Sequence, residues 1–293
     1  MPGTLQGLRH ELTGRLRNGA THLITGMPED RRAELAARVR SGRASRALLR
    51  RASSWYGRAP VPVAGGLAHL LYVSTPDLPL DHAHAGLIVR GTLEPPVQEA
   101  LRRLLAPGDV FYDIGANVGF FTLLGARLVG PAGRVVAFEP VPWCARAVGN
   151  NIELNEFGHA QIRAEAVGDA DGAARLLVVG EASWSHLEST GRHADVRDEI
   201  DVAVVALDSL VGAGTIPPPD VLKIDTEGAE LQAIEGARAT IARHRPAIVC
   251  ELHDTNEAFV ALMDELGYVT TNLDGPQDVR AAGPVHALAQ PRA

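Results

Sequence analysis

From residue 109 onward, short apolar runs and amphipathic stretches take turns along the chain, and this alternation constrains the fold more than any other feature. Strand-like runs cover residues 110–114, 134–139, 162–167, 202–207, 221–225 and 247–252, with two closing runs at 268–272 and 285–288. Helix-period stretches separate them over 118–129, 143–155, 227–243 and 256–266. Strands that alternate with helices require crossover connections. The expected product is a Rossmann-like α/β domain, a mostly parallel sheet with helices on both faces. Ahead of it, runs at 70–73 and 87–90 read as short strands, and Pro95 and Pro96 open a helix that ends before Pro107-Gly108. A Pro/Gly-rich segment at 59–66 marks a boundary. The layout expected is a helical extension over 1–60, an entrance segment over 61–106 and the main domain over 107–293.

Composition sets the class. Apolar residues make up 46% and charged residues 22% of the 293, and the mean hydropathy is +0.01, values of an ordinary globular protein. No run of about 18 apolar residues occurs and the start of the chain has no leader-like apolar stretch, so a cytoplasmic protein without membrane partners is expected. Cys144 and Cys250 form no CxxC pair, too few ligands for a structural zinc site or a disulfide framework. Residues 1–51 hold eleven arginines against four acids, a basic arm on an acidic body. Phosphate binding by that arm is one reading. Amphipathic helices with arginine stems over apolar surface are the other, and nothing aromatic precedes Trp55 to stack on bases, so nucleic acid is disfavoured as a partner.

The most informative stretch is VFYDIGANVGFFT, residues 110–122, which joins a strand to a helix through small residues and lets backbone amides approach a ligand. A dinucleotide fingerprint wants glycines at relative positions 1, 3 and 6. Here those positions hold Gly115, Asn117 and Phe120, and Asp113 sets a carboxylate where a pyrophosphate would be repelled. A ligand with an ammonium group suits that charge. The next strand ends in VAFEP, with Glu139 placed 24 residues after Gly115, where a carboxylate can accept from both hydroxyls of a ribose. An amino-acid amine, a ribose and no phosphate describe S-adenosylmethionine.

With these residues the chain resembles the FkbM-type methyltransferases from about Gly91 to Glu251. The likeness is carried by PGDVFYDIGANVG at 107–119, VAFEP at 136–140, Asn151 and Asn155, AEAVGD at 164–169, LDSL at 207–210 and LKIDTEGAE at 222–230. The resemblance implies a class I methyltransferase fold whose seven-stranded sheet has an antiparallel last strand. It also implies methylation, mostly of oxygen, in natural-product or glycan biosynthesis, with a small-molecule acceptor. Carried over by position, Asp113, Gly115, Asn117, Gly119 and Thr122 would serve the methionine end of the cofactor, Glu139 and Pro140 the ribose, and Ala166 and Val167 the adenine. Asp225 would border both cofactor and acceptor. A homo-oligomer is compatible with all of this.

A second constellation follows the fourth parallel strand. Period-2 alternation puts Lys223 and Asp225 on one strand face, and Lys223 is the only lysine among 28 lysines and arginines, which points to a need for a compact ammonium. Glu251 and His253 end the next strand and should reach the same rim. Two routes stay open: His253 or Asp225 takes the acceptor's proton, or Asp225, Glu227 and Glu251 hold a divalent cation that acidifies it. The metal-free route is favoured, because such acids also cap helices. His186, beside Trp184 in a long polar connection, is a further candidate base. His82 and His84 have alternate-residue spacing but no third ligand nearby, and are expected on a surface loop.

Overall fold

The computed structural model describes residues 60–74, 82–179, 186–187 and 196–292. The basic arm, Trp184 and most of the long connection lie outside them. The chain divides into two units, and the described part of the first comprises residues 60–74 and 82–92. Within it, β1 (Val61–Pro62) pairs antiparallel with β2 (Tyr72–Val73), and α1 spans His82–Arg90. Two expectations are corrected here. Residues 87–90 are the last turn of α1 and not a strand, and His82 and His84 sit on that helix and not in a loop. A four-residue apolar run has no resolvable period, so only its neighbours decide between strand and buried helix end.

The second unit holds residues 93–292. It begins with α2 (Pro95–Leu104), which has proline at its first turn, where no intrahelical N–H is needed. Then come β3 (Val110–Ile114), α3 (Phe120–Val129), β4 (Arg134–Phe138), α4 (Pro142–Leu154) and β5 (Ala160–Arg163). After a small sheet, α5 (Leu207–Gly212) leads to β10 (Val221–Ile224), α6 (Glu230–Glu235), α7 (Arg238–His244), β11 (Ala247–Leu252), α8 (Asn256–Glu265), β12 (Tyr268–Asn272) and β13 (Val285–Pro291). The main sheet runs β12-β13-β11-β10-β3-β4-β5. Strands β11, β10, β3, β4 and β5 are parallel, whereas β13 is antiparallel to both of its neighbours. This is the seven-stranded class I methyltransferase arrangement, with its last strand reversed.

Strand alternation divides the core. Tyr112, Ile114, Val136, Phe138, Leu222, Ile224, Ile248, Cys250 and Leu252 pack on one face with Ile234, Ile241, Phe259 and Met263 of α6, α7 and α8. The other face receives α3: Phe111 lies against Gly125, and Lys223 sits 5.0 Å from the centre of the Phe121 ring. The chain winds outward from β3 to β5 in one direction and from β10 to β11 in the other. The strand order therefore switches between β3 and β10, where sheets of this kind leave a crevice at their carboxyl ends.

Two further expectations are corrected. The run 162–167 is not one strand: it breaks after Arg163, and β6 (Ala166–Val167) joins a separate four-stranded sheet of order β6-β9-β7-β8, with β7 Gly172–Val179, β8 His186–Leu187 and β9 Val196–Val205. The stretch 227–243 is two helices, α6 and α7, parted at Gly236. A side chain there would put its Cβ 1.9 Å from the Gly168 carbonyl, so the helix must turn where the chain passes that close. Both cysteines are free and buried, and no helix among the described residues is long and apolar enough to cross a membrane.

Candidate functional site

The crevice at the switch point is a cleft of about 650 Å³ including its open mouth. Its floor is the turn after β3. Gly115 has φ 77, and a Cβ on it would sit 1.7 Å from the Asp225 carbonyl, so only glycine lets the β3 and β10 ends approach. Asn117 is also left-handed, at φ 50, and its side-chain Oδ1 is buried without a hydrogen bond. Asn151 from α4 steadies the turn by donating to the Val118 carbonyl at 2.9 Å.

Glu139 leaves the end of β4 beside this turn. One carboxylate oxygen accepts from the Asn117 N–H at 2.8 Å and the other from the Val141 N–H at 2.9 Å, which leaves further acceptor capacity on each. Only 6% of the residue is exposed, and burial lifts its carboxyl to about 7 despite the two N–H donors. Beyond it Phe138, Val141, Ala166, Val167 and Leu176 form an apolar wall. Gly115, Asn117, Glu139, Pro140, Ala166, Val167, Asp225 and Glu227 thus all border one cleft, and among the described residues no lysine or arginine does.

Asp113, Gly119, Thr122 and Lys223 are not on that wall. Asp113 is fully buried, accepts from the Thr122 hydroxyl at 2.5 Å and lies 3.8 Å from the Lys223 ammonium. Lys223 also donates to Asp225 at 3.2 Å. Burial pulls this ammonium down, but Asp225 and Asp113 outweigh it and hold it above its ordinary value. Buried and doubly paired, Lys223 bridges the ends of two neighbouring strands.

Past Asp225 the charges crowd. His253 has Nδ1 2.9 Å from Oε1 of the fully buried Glu230, and Nε2 3.4 Å from Glu227 and 3.7 Å from Glu251. Burial disfavours the imidazolium, yet Glu230, Glu227 and Asp225 prevail and raise it to about 9. Burial raises Glu227 to about 8 and Asp225 to about 6. Ligand atoms of Asp225, Glu251 and His253 lie within 4.8 Å of one another, and so do those of Glu94, Glu251 and His286. Glu227 belongs to neither group, so the trio of acids weighed from the sequence is not the set that converges. His186 is on β8, opposite Leu177, and its side chain lies outside the described residues.

Glu230 as the partner of His253, Glu165 and Leu176 on the wall, and Glu94 with His286 escaped the sequence reading. Glu230 lay inside the quoted LKIDTEGAE and could have been weighed. Glu94, just before α2, and His286, on β13, meet only in the folded chain, which no local pattern announces.

The Methyltransferase FkbM domain matches residues 113–273, more than half of the chain. The 31-O-demethyl-FK506 methyltransferase FkbM of Streptomyces tacrolimicus is 28% identical over 64% of this chain and 82% of its own length. The hexuronic acid methyltransferase AglP of Haloferax volcanii is 26% identical over 47% of this chain and 55% of its own. Among solved structures, the methyltransferase FkbM of Methylobacillus flagellatus KT is 17% identical, covering 71% of this chain and 53% of that one at a TM-score of 0.43. The sheet order above, and not that superposition, defines the fold. The matched domain and the observed topology agree: the chain belongs to the FkbM methyltransferase family, a family of S-adenosylmethionine-dependent methyltransferases.

Proposed function

We propose that this protein transfers a methyl group from S-adenosylmethionine to a hydroxyl of a small molecule. One observation carries the cofactor reading. Among the described residues the cleft wall offers carboxylates, a buried Asn117 Oδ1 without a hydrogen bond and an apolar slot, but no cationic side chain. Such a wall suits an ammonium, a ribose and an adenine, and it would repel a pyrophosphate. In this reading Gly115 and Asn117 hold the amino-acid end, Glu139 uses its remaining lone pairs on the ribose hydroxyls, and Ala166 with Val167 flanks the base. Asp113 and Thr122 support the turn from below. Bound S-adenosylmethionine supplies an electrophilic methyl group on a sulfonium.

Asp225 and Glu227 are the carboxylates on the acceptor side of the same wall, and we assign to Asp225 the hydroxyl proton. Lys223 keeps Asp225 in place. The acceptor class is supported by the curated relatives, whose names give 31-O-demethyl-FK506 and a hexuronic acid as their substrates.

The test separates binding from turnover. Glu139→Ala should weaken S-adenosylmethionine binding roughly ten- to hundredfold, since each hydrogen bond to a charged group contributes about 1.5–3 kcal/mol. Asp225→Asn should leave the dissociation constant near that of the wild type while abolishing label transfer from methyl-labelled cofactor to hydroxylated acceptors. Unchanged affinity in the first variant removes Glu139 from the site. Label appearing on RNA instead of small molecules refutes the acceptor class.

A further inference from the structure

We infer that Glu94, Glu251 and His286 form a binding site for one divalent transition-metal ion of the zinc class. Nothing in the methyl-transfer reading requires this site, and the inference does not rest on that reading. Glu251 and His286 are directly opposed across the antiparallel β11–β13 pair, so the sheet register fixes their separation. Glu94 is delivered from the residue before α2, in a left-handed conformation with φ 42 and ψ 67, immediately ahead of Pro95.

The contacts of the imidazole point to a ligand. Its Nδ1 lies 3.0 Å from both carboxylate oxygens of Asp274, and the His286 backbone N–H donates to the same carboxylate at 2.8 Å. In a metal-bound imidazole Asp274 would keep the ring proton on Nδ1, and Nε2 would be the coordinating nitrogen. A carboxylate behind the ring is the usual support of a metal-bound histidine. Nε2 then lies 3.4 Å from Glu94 Oε2 and 3.7 Å from Glu251 Oε2. Neither approach is a hydrogen bond, and both Nε2 and Glu94 Oε2 are buried without one.

Burial disfavours the charged ring, but without an ion Glu251, Glu94 and Asp274 hold this imidazole charged, raised to about 11; a bound ion would take the proton's place on Nε2. The three ligand atoms lie within 4.8 Å of one another. Tetrahedral zinc, with bonds of about 2.0–2.2 Å, sets its ligand atoms about 3.4 Å apart, close to the spacing seen. Two carboxylates and one imidazole favour zinc over magnesium, which prefers oxygen throughout. The neighbouring Asp225, Glu251 and His253 group is the weaker candidate, because none of its ligand atoms is a buried atom without a hydrogen bond. An ion bound by Glu94, Glu251 and His286 would tie the start of α2 to β11 and β13. It would also neutralise Glu251 beside Asp225.

The experiment uses the full chain, stripped with a chelator and titrated with Zn²⁺ alone, read by calorimetry and by elemental analysis after dialysis. One equivalent should be retained. Glu94→Gln and His286→Asn should each lower the affinity at least about tenfold. Asp274→Asn should lower it about 10–100-fold, as expected for an outer carboxylate. His253→Asn should leave it unchanged. Circular dichroism establishes that each variant is folded, and the wild-type stoichiometry tests the site without any variant. Failure to retain Zn²⁺, or loss of the ion in His253→Asn but not in His286→Asn, would overturn the assignment.

Discussion

Glu139 shows how one buried acid couples the cofactor cleft to pH. An unfolded glutamate titrates near 4.3, whereas burial keeps this one protonated until about 7. The folded chain therefore holds the extra proton between those values. Its stabilising contribution is complete below the unfolded value and is lost as pH rises through about 7, costing at most about 4 kcal/mol above it. Glu139→Gln cannot ionise. Whatever its absolute stability, its melting temperature should fall less than that of the wild type as pH rises from 5 to 7.5 in the absence of cofactor. Parallel melting curves would show that the two backbone N–H groups, and not burial, govern this carboxyl. Gly115 is the complementary case, because its role is steric. Its spacing from Asn117 and Phe120 was visible, though its 1.7 Å approach to the Asp225 backbone was not.

At the scale of strands and helices, legibility followed how much of each element's fate is local. Strands β3 and β11 begin and end where apolar runs and their punctuation put them, since central strands buried on both faces must be largely apolar, and the half-exposed edge strand β12 keeps its expected bounds as well. The break between β5 and β6 was hidden, because Arg163 and Glu165 pair with each other at 2.8 Å and interrupt no apolar pattern. Likewise α6 and α7 part over a contact with Gly168, distant in sequence. The cleft residues on β3, β4 and β10 were legible because they follow strand ends. Glu94 and His286 were not, since one precedes α2, the other lies on β13, and only the tertiary fold brings them together. Cross-strand placement also makes Lys223 testable: in the parallel register it faces Asp113, buried like itself. Lys223→Met should cost about 3 kcal/mol, because it leaves a buried carboxyl uncompensated. Adding Asp113→Asn should restore at least about 1 kcal/mol in a double-mutant cycle read by denaturant unfolding. Additive losses would mean that the pair contributes nothing jointly and that Lys223 acts through Asp225 alone.

For the whole molecule, the division into units decides which part of the chain carries binding. All seven strands of the main sheet, every described residue of the cleft wall and the three proposed metal ligands lie in the unit that begins at Leu93. That unit has its own core on both sheet faces and satisfies the backbone of each central strand internally, the requirements for independent folding. We propose that residues 1–60 and the entrance segment up to about 106 serve acceptor choice or assembly, with only α2 of that stretch needed by the core. A chain starting at Leu93 should then unfold in one cooperative thermal transition. It should bind S-adenosylmethionine within about tenfold of the full-length dissociation constant, a difference of at most about 1.4 kcal/mol. Methyl transfer to the full-length protein's acceptor is expected to fall much more than cofactor binding, which would place acceptor recognition ahead of residue 93. A truncated chain that folds but no longer binds the cofactor would show instead that residues before Leu93 complete the cofactor site. One that transfers methyl groups as fast as the full chain would assign acceptor recognition to the acidic rim around Asp225, Glu227 and Glu251.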